Sequence, residues 1–237
     1  MTLNITKKRI VIIPARGGSK RIPGKNIREF CGTSMLELAL HIALESNTFS
    51  KIVLSSDVEN IINVGKKFAG VELHHRPANL STDYAGITDL FRLLIESNKD
   101  TDYAYLLEPT SVFRNSQELK SLVTKFESSN ACSFGTVSEV KSHPKKMFGL
   151  DKQGLVKNIS TNGMTARSQD LESLYEFNGI LYGVNVKQFL TKKQDHITFG
   201  KILGIETPRM IFDINNFEDF QMAEAWYYYD KKTIRIN

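Results

Sequence analysis

The feature that most constrains this chain is the passage from Val11-Ile12-Ile13-Pro14 into Ala15-Arg16-Gly17-Gly18-Ser19-Lys20-Arg21-Ile22-Pro23-Gly24-Lys25-Asn26-Ile27. An apolar run with β-branching at nearly every position predicts a strand buried on both faces. The loop after it holds three glycines, one proline and the cations Arg16, Lys20, Arg21 and Lys25. Glycines let backbone N–H groups approach phosphate oxygens, and cations neutralise their charge, so the loop reads as a polyphosphate site. Two familiar spacings are excluded. A Walker loop ending at Gly24-Lys25 needs glycine where Ser19 stands and Ser or Thr where Asn26 stands, and Gly17-Gly18-Ser19-Lys20 does not supply a GxGxxG fingerprint.

Beyond the loop, strand and helix patterns alternate. Apolar spacing predicts helices over 35–46, 58–69, 87–97, 116–128 and 217–229, with strands over 51–55, 71–75, 103–107, 131–137, 177–184 and 209–214. Ser56-Asp57 reads as the N-cap of the second helix, and Gly70 as its C-cap. This is the rhythm of an α/β domain with a mainly parallel, mixed sheet flanked by helices. It breaks between 138 and 175, a polar, lysine-rich segment with a hairpin over 147–159, read as an insertion within a single domain spanning 1–237.

A chain of 237 residues with 41% hydrophobic content can bury one sizeable core. Its net charge of +5 suits an anionic ligand, but the basic residues are scattered, which disfavours nucleic acid. Cys31 and Cys132 lie far apart and read as free thiols. The N-terminal stretch lacks the apolar core of a signal peptide, and no apolar run reaches membrane-spanning length. A cytoplasmic protein with no membrane partner is the expectation.

Five ordered blocks carry a family resemblance. They are Ile13 to Lys20 with Pro23-Gly24-Lys25-Asn26; Arg76-Pro77 with Leu80-Ser81-Thr82-Asp83; Glu108-Pro109-Thr110-Ser111 with Arg114; Ala166-Arg167-Ser168-Gln169-Asp170-Leu171 with Asn178-Gly179; and Phe212-Asp213-Ile214-Asn215 with Glu218-Asp219-Phe220. Together they resemble the CMP-N-acylneuraminate synthetases, cytidylyltransferases of nonulosonic acids of the sialic, legionaminic or pseudaminic type. The resemblance implies a nucleotide-diphospho-sugar transferase (Rossmann-like) fold and a homodimer whose 138–175 insertion reaches the partner's site. It also implies a Mg²⁺-dependent reaction joining CTP to the sugar's anomeric hydroxyl with release of pyrophosphate. A CMP-Kdo synthetase has a similar opening loop, but Asn26 and the Asn178-Gly179 block depart from it. A catalytically weak nucleotide-binding homologue is the other alternative.

Residue by residue, the resemblance places Ala15, Arg16, Ser19, Lys25, Asn26 and Arg76 at the nucleotide, with Arg16, Lys25 and Asp213 catalytic. Lys20 and Arg21 either join the phosphates or stay solvated. Glu108, Thr110, Ser111, Lys146, Arg167, Asn178 and Gly179 fall at the sugar, Lys146 by reaching the partner's site. Asp213 and Asn215 fall at the metal, Asp213 also being placed to cap the last helix. Three positions depart from the family's usual residues: Glu108 for glutamine, Asn215 for a second acid, and Glu176-Phe177 where many relatives carry an arginine before Asn-Gly. The missing arginine leans the sugar toward the legionaminic or pseudaminic type.

Overall fold

The computed structural model describes residues 6–82, 85–158, 167–191, 193–207 and 214–233. In chain order the strands and helices are β1 (Arg9–Pro14), β2 (Glu29–Phe30), β3 (Thr33–Ser34), α1 (Met35–Glu45), β4 (Lys51–Ser56), α2 (Glu59–Gly65), β5 (Val71–His75), α3 (Ile87–Glu96), β6 (Tyr103–Leu106), α4 (Ser116–Glu127), β7 (Ser133–Glu139), β8 (Phe148–Leu150), β9 (Val156–Asn158), β10 (Tyr175–Asn185), α5 (Val186–Leu190), β11 (Ile202–Glu206) and α6 (Phe217–Thr233).

Seven strands form one sheet in the order β11-β7-β10-β6-β1-β4-β5. β10 pairs antiparallel with both β6 and β7, and every other pairing in this sheet is parallel. The chain leaves β1 toward β4 and β5, then returns to place β6 on the other side of β1. The strand order therefore reverses between β1 and β6, and a crevice opens at their carboxyl ends, where open α/β sheets take their ligands.

β1 has partners on both edges and helices on both faces, so its apolar run is consumed from every side. Val11 and Ile13 pack with Leu36, Leu40, Leu119 and Phe126 of α1 and α4. Ile10 and Ile12 pack with Leu90, Phe91 and Ile95 of α3 and Phe189 of α5. A third cluster joins Ile22 of the basic loop, Phe30, Met35, Phe113, Ile214 and Phe220. It anchors the loop beneath α6. Ser34 and Glu37 close a capping box that starts α1, and the Asn115 side chain caps α4 by accepting the Glu118 N–H at 2.8 Å.

The sequence patterns locate these elements with four differences. α2 begins one residue later than its periodicity suggests and ends at Gly65, after which Lys67 and Phe68 make tighter i→i−3 bonds before Gly70 turns at φ +87°. Its N-cap is Val58, with no side-chain bond, so Ser56-Asp57 do not cap it. β2, β3 and α5 are too short to leave a periodic signal, and β11, though as long as β5, is not among the expected strands. The strand expected over 209–214 lies, up to 213, outside the described residues, and Ile214 is not in a strand. The 147–159 hairpin is present as β8 and β9, paired antiparallel. Among the described residues, no helix is long and apolar enough to cross a membrane.

Candidate active site

The carboxyl end of β1 runs straight into the basic loop. The Ala15 N–H extends the ladder to the Ser55 carbonyl at 2.9 Å, and the Gly17 N–H donates to Asp57 Oδ1 at 2.9 Å. A methyl group built on Gly17 would come within 2.5 Å of Val58 Cγ1, so only glycine lets the loop lie this close to β4's end. Gly24 takes φ +65° and opens a single 3₁₀ turn over Lys25–Ile27. That turn buries Asn26, whose Nδ2 donates to the Arg16 carbonyl at 3.1 Å and fixes the arginine's backbone from below. Lys25 Nζ donates to the Ile214 carbonyl at 2.8 Å, and Arg21 Nη2 donates to Asn215 Oδ1 at 3.3 Å. The C-terminal segment thus lies against the loop.

A cavity of about 290 Å³ opens at the switch point and is lined by Arg16, Lys25, Asn26, Arg76, Glu108 and Thr110, among others. Arg76 is only 8% exposed, and its Nε is buried with no hydrogen-bond partner among the described residues. Burial lowers its pKa from the ordinary arginine value; Asp57 opposes that shift and Arg16 adds to it. A buried guanidinium with an unused donor beside a polar cavity is a group prepared for a ligand acceptor.

The far wall comes from the segment after β6 and from an irregularity in β10. The β10–β7 register shifts between Phe177 and Tyr182, and Gly179 sits there at φ +74°. A Cβ on Gly179 would stand 3.0 Å from both Glu108 Oε2 and Ser111 Oγ. Asn178 is pinned by its Nδ2 donating to Thr207 Oγ1 at 2.9 Å. Beneath them, fully buried Arg114 donates from Nη1 to the Ile180 carbonyl at 2.9 Å and from Nη2 to the Glu108 carbonyl at 2.6 Å. It staples the two parts of this wall together. Desolvation pushes its pKa down to about 9, with Glu108 and Glu118 opposing, so it stays charged near neutral pH.

The fold thus brings Ala15, Arg16, Ser19, Lys25, Asn26, Arg76, Glu108, Thr110, Ser111, Asn178 and Gly179 to one end of the sheet. Two expected residues do not join them within one chain. Lys146 lines a separate cavity of about 320 Å³ with His143 and Glu172. Arg167 is exposed and faces Asp170 at 3.8 Å. Asp213 lies outside the described residues. Of the expected metal donors, the described one is Asn215 Oδ1, which accepts from Arg21. Among the described residues no cluster of three His, Cys, Asp or Glu side chains forms a metal site.

A larger cavity, about 860 Å³, opens at the opposite, amino end of β6, lined by Lys7, Asp100, Asp102 and Lys187 among others. Its charges are largely answered within the protein: Lys7 meets Tyr103 and Glu127, Asp100 pairs with Lys8, and Asp102 accepts the Lys8 N–H. Asp57 is the site residue that sequence reasoning missed. Its position at the end of a strand beside β1 was the available signal, and its capping spacing hid it.

This fold and a switch-point cavity walled by cations define a nucleotidyltransferase-type architecture. Among solved structures, a CMP:2-keto-3-deoxy-manno-octonic acid synthetase complexed with CTP superposes with a TM-score of 0.65 at 13% identity, covering 94% of this chain and 100% of that one. The family profile described as Cytidylyltransferase matches residues 10–234, and the chain belongs to that family. The pseudaminic acid cytidylyltransferase of Campylobacter jejuni is 33% identical over 225 residues, 93% of this chain and 96% of its own length. The N-acylneuraminate cytidylyltransferase of Streptococcus agalactiae is 31% identical over 188 residues, 78% of this chain but 45% of its own length.

Proposed function

We propose that this protein transfers a cytidylyl group from CTP to the anomeric hydroxyl of a nonulosonic acid, giving the CMP-sugar and pyrophosphate in the cytoplasm. The observation that carries the reading is the buried Arg76, its Nε without a partner among the described residues, lining the same cavity as Arg16 and Lys25. Arg16, Ser19 and Lys25 hold the triphosphate, Asn26 fixes the loop, and Arg76 meets the cytidine. The sugar's hydroxyl oxygen bonds to the α-phosphorus as the bond to the β-phosphate oxygen breaks, and the hydroxyl proton passes to water. Charge builds on the phosphoryl oxygens and on the departing pyrophosphate, where Arg16 and Lys25 supply countercharge. Mg²⁺ bound by Asp213, Asn215 and the nucleotide would supply further charge neutralisation.

Glu108 and Thr110 form the sugar wall of the chain's own cavity, with Ser111, Asn178 and Gly179 beside them. Glu108 accepts hydrogen bonds and repels a carboxylate, so the sugar's acid group points away from it. Lys146 and Arg167 complete the pocket from a second protomer. Support for a homodimer comes from the insertion. Phe148, Leu150 and Val156 share one face of the β8–β9 ribbon, with Leu150 paired to Val156, and are 50%, 65% and 51% exposed. A two-stranded ribbon with an open apolar face is marginal alone and gains stability by docking. The sugar is of the pseudaminic type, a choice supported by the 33% identity to a relative matched over 96% of its length and by Glu176-Phe177 in place of a cation before Asn178.

The test is pyrophosphate release from CTP and Mg²⁺ with a panel of pseudaminic, legionaminic, N-acetylneuraminic and Kdo substrates. Turnover greatest with pseudaminic acid is the expected result. CTP binding without turnover on any acid would sink the enzymatic reading.

A further inference from the structure

Three consecutive residues at the end of β4 each hold a different part of the cavity. The Ser55 carbonyl accepts from the Ala15 N–H, the Ser56 carbonyl accepts from the Arg76 N–H at 2.7 Å, and the Asp57 carboxylate accepts from the Gly17 N–H. Ser56 Oγ accepts the Val58 N–H at 3.2 Å, so Asp57 has no capping duty on α2. Val58, the next residue, fills the space that a side chain at position 17 would need. The phosphate loop is therefore seated on the end of β4, where the Asp57 carboxylate ties it in place.

A carboxylate is an unexpected choice beside a polyphosphate site, because it repels the ligand. A neutral amide or hydroxyl would accept the same N–H. What only a carboxylate adds is countercharge. Before any nucleotide arrives, Arg16 and Arg76 repel each other, and Arg76 is too buried for water to screen that repulsion well. We propose that Asp57 is a positioning residue for cytidylyl transfer: it gives up some attraction for anions in return for one fixed arrangement of Gly17, Arg16 and Arg76. This rests on reading the cavity as the CTP site.

The experiment compares wild-type protein with Asp57→Asn and Asp57→Ala, measuring steady-state kinetics with CTP and calorimetric binding of inorganic tripolyphosphate. Tripolyphosphate needs charge but little geometry, so both variants should bind it at least as tightly as wild type. Turnover at saturating CTP should fall about tenfold in Asp57→Ala and about fivefold in Asp57→Asn, which keeps the acceptor but loses the countercharge. Tripolyphosphate binding that weakens in parallel with CTP binding would mean a merely structural tie and would overturn the proposal. So would unchanged turnover in Asp57→Ala. If Asp57→Ala does not fold, tripolyphosphate binding to Asp57→Asn decides: tighter or equal upholds the proposal, weaker overturns it. Wild-type protein that binds neither CTP nor tripolyphosphate overturns the cavity reading itself, whereas CTP binding with indifferent variants overturns only the role of Asp57.

Discussion

Arg9 and Glu127 are the charged residues buried most deeply together, far from the proposed chemistry. Arg9 is 3% exposed; its Nε and Nη2 donate to the two Glu127 oxygens at 2.7 and 2.8 Å, and Tyr105 donates its hydroxyl to Glu127 Oε1 at 2.8 Å. Burial works to lower the Arg9 pKa, but the bidentate carboxylate overrides it and leaves the guanidinium raised. The Tyr105 hydroxyl, buried and facing that carboxylate, is pushed well above its ordinary value. Removing the acid strands a charge in the core, so Glu127→Ala should destabilise the fold by about 3–5 kcal/mol, read as a drop in the denaturation midpoint. CTP affinity should stay within about twofold, because the triad sits at the amino end of the sheet. A variant as stable as wild type would show that water reaches Arg9. None of this triad was legible in the sequence. Arg9 stands at the edge of an apolar run and Glu127 at the end of an amphipathic helix, and only the parallel sheet brings residues 118 apart into contact.

At the scale of elements, legibility followed length and period. β1, α1, α3 and α4 carry full apolar faces, and their patterns locate them to within a residue or two. The 3₁₀ turn at Lys25–Ile27 and the irregularity in β10 have no such period, yet both are decisive for the cavity. They surface in the sequence only as Gly24 and Gly179, glycines at positive φ that a single chain does not distinguish from ordinary turns. The β8–β9 ribbon is the reverse case: the hairpin was readable, but the exposed apolar face made by Phe148, Leu150 and Val156 shows only in the structure. If that face docks on a second copy, Leu150→Glu should convert a dimer to monomers in sizing and sedimentation experiments. Its helical signal should be unchanged. Activity should fall with it, since Lys146 and Arg167 would lose their target. A variant that remains dimeric would place the interface elsewhere.

For the whole molecule, the sheet order decides where chemistry can occur, and the sequence supports that order indirectly through the alternation of strands and helices. The reversal of β10 could not be read from its residues, because a strand buried in a mixed sheet looks the same in either direction. The site also depends on parts of the chain that never face the cavity. Phe220 packs edge-to-face on Phe30 at 5.5 Å and shares its cluster with Ile22 and Ile214. Phe220→Ala should therefore cost about 3–5 kcal/mol of stability and weaken CTP binding, with the calorimetric affinity reporting the second effect. Unchanged affinity would mean the loop is held by β4 alone. The same cluster has a bearing on how the protein is made. Residues near 22 leave the ribosome long before residues near 220, so the nascent chain can build its central strands while the phosphate loop still lacks the helix that pins it. Completion of the proposed nucleotide site then becomes a late event in synthesis, and a chain cut short by a stalled ribosome would have sheet structure without a finished basic loop.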